Sequence, residues 1–237
     1  MIALPPAELL ANAEPEAVLR WTYERFAKVA IVASFQAESS VIIDIASRIR
    51  PDLRVLTLDT GRLPQQTHDM IDRVRERYGI EVEVITPDPT EIRKMVATHG
   101  ANLFYASVES RRLCCDVRKS RPLDRALRGS DAWITGIRRQ QTATRAQTQL
   151  VANDPDRLGT AKVAPLAGWS KTQVWDYIRE HGLPYHALYD RGYTSIGCAP
   201  CTRATTANED ERAGRWWWEP DGDKECGLHW AQGEATG

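Results

Sequence analysis

Cysteine is scarce in this chain: 237 residues contain only five. No stretch approaches the roughly 18 consecutive apolar residues of a membrane-spanning helix. The opening "MIALPPAELLANAEPE" has no basic n-region and no long apolar run, so no signal peptide is predicted. Net charge is almost absent: 31 Lys and Arg against 32 Asp and Glu give −1. That balance argues against a general binder of nucleic acid or membrane surface. Any anion site must therefore be a local concentration of Arg and Lys. Internal repeats and low-complexity segments are also missing. Together these absences predict a cytoplasmic protein. In that compartment thiols stay reduced, and clustered cysteines signal metal or catalysis more often than structural disulfides.

What is present is ordinary for a soluble globular chain, with 42% hydrophobic and 27% charged residues. The length suits one domain, or one domain with an extension. Helical periodicity covers 6–27 through Leu9, Leu10, Val18, Leu19, Trp21, Tyr23 and Phe26, with Pro15 as a start signal. Short β-branched runs at 28–35, 53–59, 80–86 and 131–136 predict buried strands. Helices are predicted at 39–50, 64–78, 89–100 and from Ser170 to Gly182, the last with a Ser170–Gln173 capping box. Alternation of this kind implies an α/β fold with a doubly wound parallel sheet. Ligands bind such sheets at the carboxyl ends of the strands. Here those ends carry "SFQAESS", "LDTGR" and "TGIRRQQ". We expect an N-terminal helical segment at 1–27, a nucleotide-binding α/β domain at 28–190 and an irregular C-terminal arm at 191–237.

The five cysteines divide unevenly. Cys114 and Cys115 are adjacent in "ESRRLCCDVRK", with Arg111, Arg112, Arg118 and Lys119 around them. "CAPC" adds Cys198 and Cys201 at a spacing that lets two thiolates reach one metal centre, and that spacing also suits a redox dithiol. Four thiolates suit zinc or an iron–sulfur cluster. On one tetrahedral zinc two sulfurs lie only about 3.8 Å apart, whereas neighbouring residues splay their side chains. A cluster offers separate iron atoms to diverging ligands, which favours iron–sulfur. Two buried cysteines acting as small hydrophobes fit poorly with four flanking cations, and a disulfide between neighbours would be strained. Cys226, in "DGDKECGLHW", is left over. It is a nucleophile candidate or an ordinary lone thiol. Lys224 and His229 favour its thiolate, and Glu225 opposes it.

Taken together, "CC" followed by "RK" and "PL", then "CAPCTR", "GRWWWE" and "KECGLHW", resemble the assimilatory adenylylsulfate (APS) reductases. These are the cluster-bearing branch of the phosphoadenylylsulfate reductase family. "LDTGRL" and "TGIRRQQTATR" are similar to its nucleotide-domain motifs, and the resemblance runs from about Lys28 to Trp230. It implies an adenine-nucleotide α-hydrolase-like sheet, with Cys114, Cys115, Cys198 and Cys201 as ligands of a [4Fe-4S] cluster. It implies Cys226 as the nucleophile that attacks adenylylsulfate, releasing AMP and leaving an S-sulfocysteine. A thioredoxin or similar dithiol would then release sulfite, in sulfate assimilation for cysteine biosynthesis.

The resemblance further implies substrate contacts for Ser34, Leu58, Lys119, Gly136, Arg139, Arg145, Arg212, Arg215 and His229. Lys119 would stand between substrate and cluster. A thiolate attacking an anionic sulfur needs such cations nearby. A solvated surface charge is the competing reading for Arg138 and Arg145, and arm packing for Trp216–Trp218. In one place the chain departs from the pattern. Related phosphate loops are glycine-rich ("SGAED", "SGGxDS"), but "SFQAESS" has no glycine, which leaves the contacts of Gln36, Glu38 and Ser39 open. A 3′-phosphoadenylylsulfate or dual-substrate reductase is the nearest alternative. An ATP-pyrophosphatase-type tRNA thiolase would want a Gly-rich loop and a basic RNA surface. A non-enzymatic iron–sulfur redox sensor would not need Cys226. Neither nucleic acid nor membrane is an expected partner, and a homo-oligomer is compatible with the sequence.

Overall fold

The computed structural model describes residues 14–219 and residue 225. Leu9, Leu10, Cys226 and His229 lie outside the described residues. Helix α1 (Pro15–Arg25) opens with proline in its first turn and buries Val18, Leu19 and Thr22. Strand β1 (Val29–Val32) leads into α2 (Ala37–Ile49), and β2 (Val55–Leu58) into α3 (Gln65–Tyr78). Helix α3 stops where Gly79 takes the left-handed conformation, φ 61°. Next come β3 (Val82–Ile85) and α4 (Pro89–His99), whose first turn is capped by the Asp88 carboxylate. The expected capping box of α7 (Lys171–Glu180) is present: the Gln173 N–H donates to Ser170 Oγ, and the Ser170 N–H donates to Gln173 Oε1.

Between β3 and β4 (Ala132–Ile134) the chain makes a helical stretch that periodicity did not reveal. Helix α5 (Val108–Cys115) runs into one π-helical segment, Asp116–Ser120, and on into α6 (Arg121–Ala126). Two strands also went unread, β5 (Val151–Asn153) and β6 (Ala161–Val163). Three residues are too few for an alternation signal.

The six strands lie in the order β3-β2-β1-β4-β6-β5. All neighbours are parallel except the β5–β6 edge pair. The side chains alternate cleanly between the two faces. Val29, Ile31, Val55, Ala132 and Ile134 join a large core with α1, α2, α3 and α7. Ala30, Leu56 and Trp133 face the other way, onto Leu123 and Leu127 at α6. Helices on both faces make this the doubly wound α/β architecture expected from the sequence. The switch in strand order falls between β1 and β4, so their carboxyl ends frame the site.

One buried histidine makes the fold sensitive to acid. His186 is 1% exposed. The Leu188 N–H donates to its Nδ1, so the ring proton sits on Nε2 and is donated to Thr67 Oγ1 at 3.0 Å. Burial depresses its pKa to about 4, against the opposing charge of Asp69. The unfolded chain, with an ordinary histidine pKa of about 6.5, then binds more protons than the folded one. Stability is therefore lost as pH falls from about 6.5 towards about 4. Urea midpoints measured across that window should fall more steeply for the wild type than for His186→Gln. Parallel slopes would show that His186 does not titrate on unfolding.

Candidate active site

A cavity opens at the carboxyl ends of the strands. Ala33 and Ser34 line it from the end of β1, Thr57 and Leu58 from β2, and Thr135, Gly136 and Ile137 from the end of β4. Gly136 is there for lack of a side chain: a Cβ on it would stand 2.8 Å from Glu38 Cβ. Gly197 answers the same need for Arg215, since a Cβ there would fall 2.5 Å from Arg215 Cζ.

The glycine-free loop is held by its own side chains. Phe35 adopts φ 55°, a left-handed backbone conformation that favours glycine. That conformation costs a non-glycine residue roughly 1–2 kcal/mol, offset by complete burial of the ring in the main core. The Ser34 N–H donates to Ser39 Oγ and the Ala37 N–H to Tyr189 OH, both at 3.1 Å. Gln36 accepts from the Ile196 N–H at 2.7 Å, tying the loop to the C-terminal segment. The Glu38 carboxylate accepts from Arg138 Nε at 2.7 Å and from Gln141 at 3.0 Å. Arg138, 1% exposed, reaches on to Glu211 at 2.8 Å. It is a buried linchpin, which removes the solvated-charge reading for this residue.

Lys119, Arg145, Arg212 and Arg215 all line the cavity with Ser34, Leu58 and Gly136. Arg139 does not line it. That side chain is exposed and donates through Nε to the Thr148 carbonyl at 2.8 Å. Arg145 is buried and, with Arg212, grips a carboxylate that the sequence cast only as an opponent of the Cys226 thiolate. Glu225 accepts from Arg145 Nε at 2.8 Å and from its NH2 at 2.6 Å, and Arg212 NH2 lies 3.6 Å away. Glu38, Glu211 and Glu225 were not anticipated as partners, because residues 73 to 100 apart leave no local signature.

The four cysteines Cys114, Cys115, Cys198 and Cys201 are buried, form no disulfide among the described residues, and line one small second cavity with Arg62, Arg111 and Arg118. Lys119, in the π-helical segment, lines both cavities. Burial pushes the Cys201 thiol up to about 12, reinforced by Cys198 and opposed by Lys119 and Arg215. Burial also raises Cys114, against the Arg118 charge. Cys198 Sγ sits 3.2 Å from Thr60 Oγ1. Trp216 packs against one arginine from the lining of each cavity. It is 1% exposed, at φ 43°, and sandwiched between the guanidinium groups of Arg111 and Arg215 at 4.4 and 4.6 Å.

A family model described as the phosphoadenosine phosphosulfate reductase domain matches residues 28–204. The chain belongs to this family. Among its relatives, the adenosine 5'-phosphosulfate reductase of Allochromatium vinosum is 49% identical over 202 residues, covering 85% of this chain and 78% of that protein. The namesake from Burkholderia cepacia is 47% identical, covering 96% of this chain and 90% of its own. A crystal structure of phosphoadenylyl-sulfate reductase from Candida auris, in complex with phosphate, superposes with a TM-score of 0.70 at 27% identity. It covers 84% of this chain and 98% of that one. An NAD synthetase from Campylobacter jejuni, at 10% identity and a TM-score of 0.53, shares the fold alone over 82% of this chain and 80% of its own. The sheet is thus the adenine-nucleotide α-hydrolase-like one expected from the sequence.

A glycine at position 35 tests the loop. Phe35→Gly relieves the backbone but removes a fully buried ring. Truncation of such a ring costs about 3–5 kcal/mol and relief returns about 1–2. Chemical denaturation should show a net loss of about 2 kcal/mol, and a stabilised variant would contradict the packing account.

Proposed function

We propose that this protein is a thioredoxin-dependent adenylylsulfate reductase of the cytoplasm, acting in sulfate assimilation for cysteine biosynthesis. The observation that carries the reading is Lys119, a cation shared by the cavity at the strand ends and the cavity of four cysteines. Relatives named adenosine 5'-phosphosulfate reductase, at 42–49% identity over most of the chain, supply the substrate. The occupied loop favours this reading over ATP-pyrophosphatase chemistry, because two of its amides are already bound by Ser39 and Tyr189.

In this mechanism the adenosine lies against Ser34, Leu58 and Gly136. The phosphosulfate lies towards Lys119 and Arg215, with His229 a further candidate and Arg139, outside the cavity lining, set aside. The Cys226 thiolate attacks the sulfur of adenylylsulfate. The sulfur–oxygen bond to the phosphate breaks, AMP departs with the bonding pair, and S-sulfocysteine remains. A dithiol of the thioredoxin type then attacks Sγ of Cys226 and expels sulfite. Its second thiol closes the disulfide and frees Cys226, so the two electrons come from the dithiol. Lys119 offsets negative charge where the leaving phosphate develops it.

The cysteine set fits a [4Fe-4S] cluster. Buried thiols such as Cys114 and Cys201, whose pKa values are raised, are inert unless a metal centre draws off their protons. Among the described residues no group of three or more His, Cys, Asp or Glu side chains is arranged to hold a metal ion. Four cysteines lining one small cavity are a donor set that suits iron–sulfur chemistry. Cys114, Cys115, Cys198 and Cys201 would hold the cluster. Once bound, it would supply a compact anionic centre in the cavity that Lys119 lines.

Protein incubated with labelled adenylylsulfate and no reductant should gain a sulfonate on Cys226 by mass spectrometry. Cys226→Ser should lose it while keeping its iron. If that variant still releases sulfite with thioredoxin, the nucleophile is another residue. Cys198→Ser and Cys115→Ser should lose iron and activity together, and stoichiometric zinc in anaerobically purified protein would overturn the cluster.

Lys119→Ala should slow single-turnover sulfonation about 10²–10³-fold with nucleotide binding still measurable. A wild-type rate would remove Lys119 from the mechanism. Comparison of kcat/KM for the two nucleotides should favour adenylylsulfate over its 3′-phosphorylated form, whose extra dianion needs cations of its own. Parity would indicate a dual-substrate reductase.

A further inference from the structure

The reaction needs one thiolate to meet one sulfur atom, and the residue bonded to Cys226 on its N-terminal side is Glu225. An acid at that position works against the thiolate it adjoins. It must therefore do something that outweighs the repulsion, and its surroundings show what. The side chain is 1% exposed. Its carboxylate accepts from both Nε and NH2 of Arg145, and from Thr142 Oγ1 and Thr144 Oγ1 at 3.1 and 3.2 Å. Arg212 stands 3.6 Å away. Three of the four gripping residues come from one short run, 142–145, whose last three residues form a 3₁₀ turn. Burial raises the carboxyl pKa, but Arg145 and Arg212 outweigh it and hold the group below the usual range.

The backbone is held as well. The Glu225 carbonyl accepts from Arg111 NH1 at 2.9 Å. Arg111 also makes a two-pronged contact to Glu219, at 2.8 and 2.9 Å. Arg111 belongs to α5, the helix that ends in Cys114 and Cys115. Side chain and main chain of Glu225 are thus fixed from two directions, one of them the cysteine helix. Arg145 and Arg212 line the cavity too, so the anchor shares its wall with the site.

We infer that Glu225 is a positioning residue: the grip of Arg145, Arg212, Thr142 and Thr144 on its carboxylate fixes the chain one peptide bond before the nucleophile. This rests on the reading of Cys226 as that nucleophile. It commits Arg145 to holding the protein's own carboxylate. Glu225 touches no reacting atom in this account. Its effect is on how often the thiolate stands in line with the sulfur.

Two measurements on the full-length, cluster-loaded protein test it. Glu225→Gln keeps the size and one acceptor oxygen but removes the charge. Sulfonation of Cys226 at saturating adenylylsulfate, followed by rapid quench and mass spectrometry, should slow about 10²-fold, the cost of roughly 1 Å of misplacement. The Kd for adenylylsulfate, measured with Glu225→Gln in a Cys226→Ser background, should move less than about threefold, a change under 1 kcal/mol. An unchanged rate with a Kd tightened tenfold would make Glu225 a stand-in for the substrate's anion and overturn the proposal. A Kd weakened as much as the rate would make it a general structural residue and would overturn the proposal as well.

The second measurement needs no turnover. Lys224 precedes Glu225 and gives trypsin a cleavage site at that bond. Arg145→Gln removes the grip without altering the sequence at the cut. Cleavage after Lys224 under native conditions should accelerate at least about tenfold, because a buried carboxylate has lost its partner and the segment opens locally. Equal cleavage rates would overturn the anchor. If the wild type gains no sulfonate on Cys226, the functional reading fails, and the proteolysis alone decides whether Glu225 anchors the chain.

Discussion

Three buried arginines, paired with four glutamates, hold the C-terminal segment in place, and the rest of the site depends on them. Arg138 joins Glu38, 100 residues earlier, to Glu211, 73 residues later. Arg111 reaches Glu219 over 108 residues, and Arg145 reaches Glu225 over 80. Pairs like these add little net stability compared with a well-packed apolar core. Losing one partner of such a pair, however, costs about 3–5 kcal/mol, because a charge is stranded. Their value lies in register. A segment with almost no regular secondary structure, 191–219, is placed against strand ends by charges that fit only one way.

That placement turns two cavities into neighbours. The cysteines come from two distant stretches: one pair ends α5, and the other flanks the turn Ala199–Cys201. They meet only because the C-terminal segment folds back. Trp216, held in a left-handed backbone conformation, packs against the guanidinium groups of Arg111 and Arg215. The burial of its ring offsets the backbone strain. Arg111 and Arg215 are kept against its faces and so point in defined directions, Arg111 towards Glu219 and Arg215 towards the substrate cavity.

Much of this is legible in the sequence. The β1, β2, β3 and β4 runs are β-branched and bounded by proline, glycine or charge, and each became a strand. Helix ends were announced by Pro15, Ser170 and Gly79. The cations of "CCDVRK" and "GRWWWE" do gather at the strand ends. Illegible were features that depend on partners far along the chain. Strands β5 and β6 exist because β4 offers an edge, not because three residues favour extension. Glu38 and Glu225 read as ordinary acids in local context. Arg138 and Arg139 are adjacent and chemically identical, yet one is buried at 1% and the other faces solvent. No local rule separates them, since the choice is made by Glu38 and Glu211. Helix α5 was hidden because the residues it buries are Arg111, Cys114 and Cys115, and the first of these does not count as apolar.

The π-helical segment after Cys115 sets a constraint of a different kind, on chain length rather than composition. Successive residues of an α-helix are rotated by about 100°, and the π turn holds one residue more than an α turn would. Deleting one of Asp116, Val117 or Arg118 would turn Lys119 by about 100° relative to the two cysteines. Every chemically important side chain could survive that deletion, yet Lys119 and the two cysteines would no longer share a phase. Across descendants of this sequence, substitutions here should be tolerated more readily than gaps, so the spacing from Cys115 to Lys119 should be inherited as faithfully as the residues themselves.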